Sequence, residues 1–458
     1  MKLETQFPAR DGRFPIDNKD GACKMTRGVV ALLAVLASLG SSAAGQVPVP
    51  ANGCYHSAFT PNYQAGGAYG HDDFEALAQK KIAIEMFYTG WPANRTPDFP
   101  KTQCDAIVQK DAIPHVTWEP WVNGYPFPLD GIISGTYDSY IIGYANAVKS
   151  WAKPLFIRVG HEMNGDWYPW GGKNNGGGTL GGFGDPAKAD GPERFIASFR
   201  RVRRLFDSVG VTNVSWIWCP NNGSAPAEPW NQPENFYPGD DVVDWIGLDG
   251  YNWGTSQTWS GWVSFYDTFK DIYSKFTSLS KPMMIGEFAS AEVGGDKGKW
   301  IRDAYLFNKL IFPRVKAITW FNINKETDWR INSTGSALSG YQAAISDPYY
   351  LSDIVTTTVE NESGELPGGF RVDEAYPNPF NGSVIIPFVA PRGRQVQIQI
   401  MDVLGQEITS AAMQGQGAIS YYRWDGTGAP GRSVASGLYL AIFRTPTVTN
   451  TKKLLYIK

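Results

Sequence analysis

The sequence predicts an α/β chain, a (β/α)8 TIM barrel followed by a small all-β immunoglobulin-like sandwich. Three observations carry that prediction. From Cys54 to Tyr350, short apolar or β-branched runs alternate with longer helix-compatible stretches, the order of a parallel sheet with crossover helices. Eight such runs occur, the number that closes a barrel. After residue 369 the order changes to short runs of alternating polarity separated by turn residues, as in an antiparallel sandwich. With 458 residues the chain can hold both units, since a barrel uses about 250.

Residues 1–45 read as an N-terminal extension and signal peptide. Met25-Thr26-Arg27 opens a short basic region, Val29 to Leu39 is apolar but too short to span a bilayer, and Ser42 to Gly45 supply small residues for cleavage. Residues 46–351 are the expected barrel. Its strands are expected at Cys54 to Phe59, Ile82 to Phe87, Ile113 to Trp118, Leu155 to Val159, Val214 to Trp218, Val242 to Leu248, Met283 to Ile285 and Ala317 to Phe321. Helices are expected between them, at Asp72 to Lys80, Tyr137 to Trp151, Pro192 to Val209, Trp262 to Ser278 and Lys297 to Phe312. An open doubly wound sheet is the alternative, although no glycine-rich dinucleotide fingerprint follows the first strand. Residues 352–369, rich in Thr, Glu, Ser and Gly, read as a linker, and 370–458 as the sandwich.

Charge and cysteine usage exclude several classes. A net charge of −3 leaves no basic excess, so neither nucleic acid nor an anionic membrane is an expected partner. The cysteines at 23, 54, 104 and 219 lack the close spacing of a zinc knuckle or a Cys-x-x-Cys site, so neither a metal nor a thiol mechanism is expected, and the two-carboxylate chemistry described below requires no cofactor. Cys54 and Cys104 could pair in an oxidising compartment. The 17 tryptophans offer flat faces that suit sugar rings as well as a core.

A barrel brings the carboxyl ends of its strands to one face. That rule gathers His56, Trp91, Trp118, Glu119, Trp121, His161, Glu162, Trp218, Asn221, Asp249, Tyr251, Trp253, Glu287, Trp320 and Asn322. The set contains carboxylates, amides and indoles but no Ser-His-Asp arrangement. Phe156 to Val159 reads as a buried strand that breaks into Glu162, flanked by Trp167, Tyr168 and Trp170. Desolvation among those rings would raise its pKa and keep it protonated, as a general acid must be. Glu287 ends the seventh run behind Gly286. Taken alone it could be a structural carboxylate paired with Arg158 or Arg302. Two carboxyls at the ends of strands four and seven can instead face each other as glycosidic bond cleavage requires, about 5 to 5.5 Å apart in a retaining mechanism.

The segment Ile157 to Gly172 with its His161-Glu162-Met163-Asn164-Gly165 core, the segment Tyr237 to Tyr251, and Ile285-Gly286-Glu287-Phe288 together resemble glycoside hydrolase family 26. The resemblance implies a retaining endo-β-glycanase with Glu162 as acid/base and Glu287 as nucleophile. It also places His161 beside the acid, Tyr251 on the nucleophile and Trp320 beneath the sugar as a platform. Further substrate contacts are expected from Trp167, Trp170, Trp253 and Trp118, with Trp91, Trp121 and Trp259 as candidate platforms and the Gly171 to Gly184 loop bordering the cleft. The implied substrate is β-1,4-mannan. Trp167-Tyr168-Pro169-Trp170 looks more like the glucanase-type members of the family, and β-1,3-1,4-glucan and xylan, on which other members of the family act, are the alternatives. A catalytically silent polysaccharide-binding barrel is the rival from another class.

In the sandwich, Ala375 to Asn381, Asp402-Val403-Leu404-Gly405 and Ala435 to Tyr439 resemble the C-terminal sorting module of type IX secretion. That implies a secretion-machinery partner and a chain that is secreted, extracellular or attached to the outer cell surface. A carbohydrate-binding sandwich is the other reading, with Trp424 as its one indole platform. A monomer is expected.

Overall fold

The computed structural model describes residues 45–61, 70–122, 125–126, 128–355 and 370–457, apart from 404, 418, 429–431 and 447. The signal peptide expected up to residue 45 and the linker from 356 onward lie outside the described residues. Among the described residues no helix is long and apolar enough to cross a membrane.

Eight parallel strands form a closed barrel: β1 (Cys54–Phe59), β2 (Ile84–Gly90), β3 (Ile113–Glu119), β4 (Leu155–Val159), β5 (Val214–Trp218), β6 (Trp245–Asn252), β7 (Met283–Ser290) and β8 (Val315–Phe321). Each pairs with its neighbour in sequence, and β8 returns to β1 with Tyr55 opposite Ala317 and Phe59 opposite Phe321. The two-residue strand Tyr350–Leu351 lies beside the amino end of β1.

The outer layer is α1 (His71–Ala78), α2 (Lys101–Val108), α3 (Leu129–Ser134), α4 (Asp138–Trp151), α5 (Asp190–Val209), α6 (Phe265–Lys275), α7 (Lys297–Ile311) and α8 (Gly335–Ile345). In α5, Phe195, Phe199, Val202 and Phe206 recur at helical spacing and are buried, and Gly210 at φ +77° ends the helix. Side-chain caps start α6, α7 and α8, where Ser264, Asp296 and Thr334 accept from backbone N–H groups three residues on. The sequence pattern does not anticipate α2, α3 or α8, because none carries a long apolar stripe.

Alternation along each strand sorts side chains between the barrel interior and the helices. Tyr55, Ile84, Phe156, Ile217, Trp245, Met284 and Ala317 fill the floor of the interior, with Val47 below them. The three described cysteines are buried free thiols, so the considered Cys54–Cys104 pairing is not formed. The Asn308 amide lies 3.7 Å from the Cys54 sulfur.

The C-terminal unit has a three-stranded sheet (Arg371–Val372, Val384–Val389, Ile419–Trp424) and a four-stranded one (Glu407–Gln414, Gln395–Asp402, Gly437–Arg444, Thr449–Tyr456). Val384, Ile386 and Phe388 from the first share one core with Val396, Ile398, Ile400 and Phe443 from the second. Trp424 belongs to that core and donates to the Thr427 carbonyl at 2.8 Å, so it is not an open platform.

Candidate active site

The chain leaves β4 through a turn in which Gly160 (φ +58°) and Glu162 (φ +53°) are both left-handed. For a glutamate that conformation costs about 1–3 kcal/mol and persists only where its surroundings impose it. Here the Glu162 N–H donates to the Cys219 carbonyl at 2.7 Å. The carboxyl is 7% exposed; Oε1 accepts from Asn221 Nδ2 at 2.7 Å and Oε2 from Trp167 Nε1 at 2.6 Å. Burial, then the nearby negative charge of Glu287, push its pKa to about 7.

Glu287 reaches the mouth by a break in register. Leu248 of β6 faces Ile285, but Asp249 faces Glu287, so Gly286 is an extra residue that turns the next side chain inward. A Cβ at 286 would lie 2.6 Å from Asp249 Oδ1 and 3.0 Å from Arg158 Nη1, which is why glycine occupies this place. Glu287 is 4% exposed and accepts from three donors: Arg158 Nη2 and the Tyr88 hydroxyl on Oε1, and the Tyr251 hydroxyl on Oε2 at 2.5 Å. A carboxylate that only accepts is the form this surrounding suits. Both tyrosines are held protonated by burial, which raises them well above their ordinary value, and by the adjacent Glu287 charge.

Arg158, fully buried in β4, ties these groups together. It donates to both Asp249 oxygens at 3.0 and 2.8 Å, to Thr117 Oγ1 at 3.1 and 2.9 Å, and to Glu287. Burial alone would lower its pKa, but Asp249 and Glu287 outweigh that and keep it cationic. His161, Asp249 and Glu287 are the group of potential metal ligands found among the described residues, with ligand atoms within 4.8 Å of one another. The Arg158 guanidinium already engages both of these carboxylates.

His161 stands beside Glu162 with Nε2 3.2 Å from the Tyr168 hydroxyl. Burial, then the Arg158 and His115 charges, lower its pKa well below the ordinary value, so it is neutral. Trp167 is 47% exposed and open to a ligand. Trp170 is buried, stacked 4.4 Å from Tyr168, with Nε1 bonded to the His161 carbonyl at 2.7 Å. It supports the turn and has no free face for substrate. Tyr251 and Trp253 are half-buried at the mouth, and Trp259 beside Trp253 is exposed.

Three other placements are corrected by strand parity. Thr117 points inward to Arg158, so Trp118, its neighbour, points outward and stacks on Tyr144 of α4 at 4.2 Å. Trp320 is fully buried against Phe288 and Tyr341, with Nε1 on the Trp329 carbonyl at 3.0 Å, and cannot be a platform beneath a sugar. The inward ring on β8 is Phe321, edge-on to Tyr88 and Tyr251. His56 likewise faces the helices, bonded to the Lys81 carbonyl and the Tyr341 hydroxyl. Trp91 and Trp218 are buried. Glu119 shares the inward parity of Thr117, and burial pushes its pKa up to about 7. Tyr88 is the functional-site residue the sequence reading missed. Extending the second run past Phe87 to Gly90 gives Tyr88 the parity of Met86 and points it inward.

A parallel barrel that delivers two carboxyls in unlike surroundings to the ends of its fourth and seventh strands has the arrangement that glycosidic bond cleavage uses. Residues 126–352, which hold most of the barrel, match the family model for Glycosyl hydrolase family 26. Residues 374–458 match the Secretion system C-terminal sorting domain. Endoglucanase H of Acetivibrio thermocellus is 37% identical over 276 residues, which are 59% of this chain and 28% of that protein. A mannan endo-1,4-beta-mannosidase of Bacillus subtilis is 27% identical over 196 residues, 40% of this chain and 43% of that protein. The chain thus spans less than half the length of either. A modular endo-beta-1,4-mannanase from Cellulomonas fimi shares the fold, with a TM-score of 0.50, 16% identity and coverage of 88% of this chain and 94% of that one.

Proposed function

We propose that the chain is an exported, retaining endo-β-glycanase in which Glu287 is the nucleophile and Glu162 the acid/base. The observation that carries the reading is the opposite condition of the two carboxyls. Glu287 accepts three donors, one of them cationic, whereas Glu162 is desolvated and holds its proton to about pH 7. Glu287 attacks the anomeric carbon while Glu162 gives its proton to the departing glycosidic oxygen. Glu287 then carries the sugar as an ester and its charge is gone. That removes one cause of the raised Glu162 pKa and favours the carboxylate, which takes a proton from water as the water oxygen attacks. Neutral His161 orients Tyr168 without competing for the proton.

For substrate, β-1,4-mannan is the family expectation. The 37% identity to Endoglucanase H, against 27% to the mannosidase, favours β-glucan, as does Trp167-Tyr168-Pro169-Trp170. We place β-glucan first. Export through a secretion machinery rests on the sorting domain at 374–458.

Hydrolysis of mannan, glucomannan, mixed-linkage glucan and xylan tests both class and substrate. Turnover should fall as pH rises through about 7, because Glu162 must hold its proton, and Glu162→Gln should lose that limb. No turnover on any polymer would leave the silent-barrel reading standing.

Endo action predicts contacts beyond the cleavage point. Trp259 is 70% exposed, 5.3 Å from Trp253, which in turn lies 6.1 Å from Tyr251. Trp259→Ala should raise KM on polymer about 3- to 10-fold, the worth of one stacked ring, with kcat near the wild-type value. On a short oligosaccharide that cannot reach Trp259, KM should not move. Equal effects on both substrates would refute the distal contact.

A further inference from the structure

Lys297, in the first turn of α7, is 1% exposed and donates three hydrogen bonds of 2.8 Å, to the carbonyls of Asp328 and Arg330 and to Ser333 Oγ. The two carbonyls flank Trp329. That residue is further fixed by its own backbone, whose N–H donates to the Ile323 carbonyl at 2.9 Å and whose carbonyl receives Trp320 Nε1. Its ring packs 5.1 Å from Tyr251 and 4.9 Å from Trp253. Tyr251 in turn donates to Glu287 Oε2. A buried ammonium therefore sits three contacts from Glu287.

We propose that Lys297 is a positioning residue for the reaction: it clamps the segment between β8 and α8 so that Trp329 backs Tyr251, and Tyr251 holds Glu287 in line for attack. The proposal rests on the glycanase reading given above.

A plain structural lysine would not be expected to couple to the chemistry, whereas this one should do so in two ways. Slack in the clamp lets Tyr251 drift from Glu287, and a misplacement of about 1 Å near reacting atoms costs up to about 100-fold in rate. The clamp is also titratable. Burial lowers the Lys297 pKa to about 8, against the raising effects of Glu292 and Asp328; Arg330 lowers it further. Asp296, which precedes Lys297, is occupied in capping Lys299 N–H. The ammonium form and its third donor are therefore lost as pH rises through about 8.

The test uses the full chain and a dinitrophenyl β-cellobioside, or β-mannobioside if mannan ranks first among the polymers. Such a leaving group departs without a proton, so the decline belonging to Glu162 is absent from this assay. Wild type should lose kcat above about pH 8. Lys297→Met should lower kcat about 10- to 100-fold with KM within about 3-fold. Lys297→Arg should recover most of kcat and keep it above pH 8, because guanidinium does not titrate there. Unchanged kcat in folded Lys297→Met overturns the proposal. If Lys297→Met does not fold, Lys297→Arg decides: an alkaline decline identical to wild type overturns the clamp, and its disappearance supports it. Absence of turnover in wild type itself would strike the glycanase reading instead.

Discussion

Glu287→Ala should abolish hydrolysis of polysaccharide, lowering kcat by about four to six orders of magnitude, as removal of a covalent nucleophile does elsewhere. The protein should stay folded, because the lost carboxylate leaves Arg158 still paired with Asp249. The stronger form of the prediction is stereochemical. With a dinitrophenyl glycoside and azide, the cavity left by Glu287 lies on the α face of the sugar, so azide should enter there and give the α-glycosyl azide. Glu162→Ala keeps the nucleophile, forms the glycosyl-enzyme, and should release the β-glycosyl azide. Proton NMR of the two products checks the assignment, and reversed products would exchange the roles of the two glutamates.

Arg158→Met should be the most destabilising single change at the mouth. The side chain is fully buried, and its removal leaves Asp249 and Glu287 facing each other without a cation. Breaking one side of a buried pair costs about 3–5 kcal/mol, because the orphaned charge remains desolvated. Denaturant unfolding of purified protein measures this. Activity should fall as well, since Glu287 loses its charged donor. Arg158→Lys keeps the charge but cannot span Asp249, Thr117 and Glu287 at once, so it should recover part of the stability and little of the rate. A loss of under about 1 kcal/mol for the Met variant would mean that water or a rotated neighbour compensates.

Much of this was legible in the sequence, and the failures share a cause. The eight strands and their order could be read because each is a short apolar run between helical stretches. Glu162 and Glu287 could be read because they end the fourth and seventh of those runs. The indoles could not be assigned by the same rule. A strand end says that a residue is near the mouth, but the pleat decides whether it faces the mouth or a helix, and a one-residue difference in parity reverses the answer. Trp118 and Trp320 sit one place from inward positions, and both went to the helix layer. Counting from Thr117 or Phe321 would have placed them, had a long-range partner been known. The register break at Gly286 is harder still. It depends on the close approach of Asp249 and Arg158, residues 37 and 128 positions away (286 − 249 and 286 − 158), which no local pattern encodes. Lys297 was invisible for a related reason, because its role depends on two carbonyls in a segment that passes nearby only after folding.

The pairing of Tyr350–Leu351 with the first two residues of β1 fixes the side on which the chain leaves the barrel. In a parallel barrel the amino ends of all strands lie on the side opposite the carboxyl ends, so the chain leaves by the closed floor. Anything joined after residue 355 pulls on that floor. A pull applied there acts at the pole opposite Glu162 and Glu287, which stand at the carboxyl ends of β4 and β7.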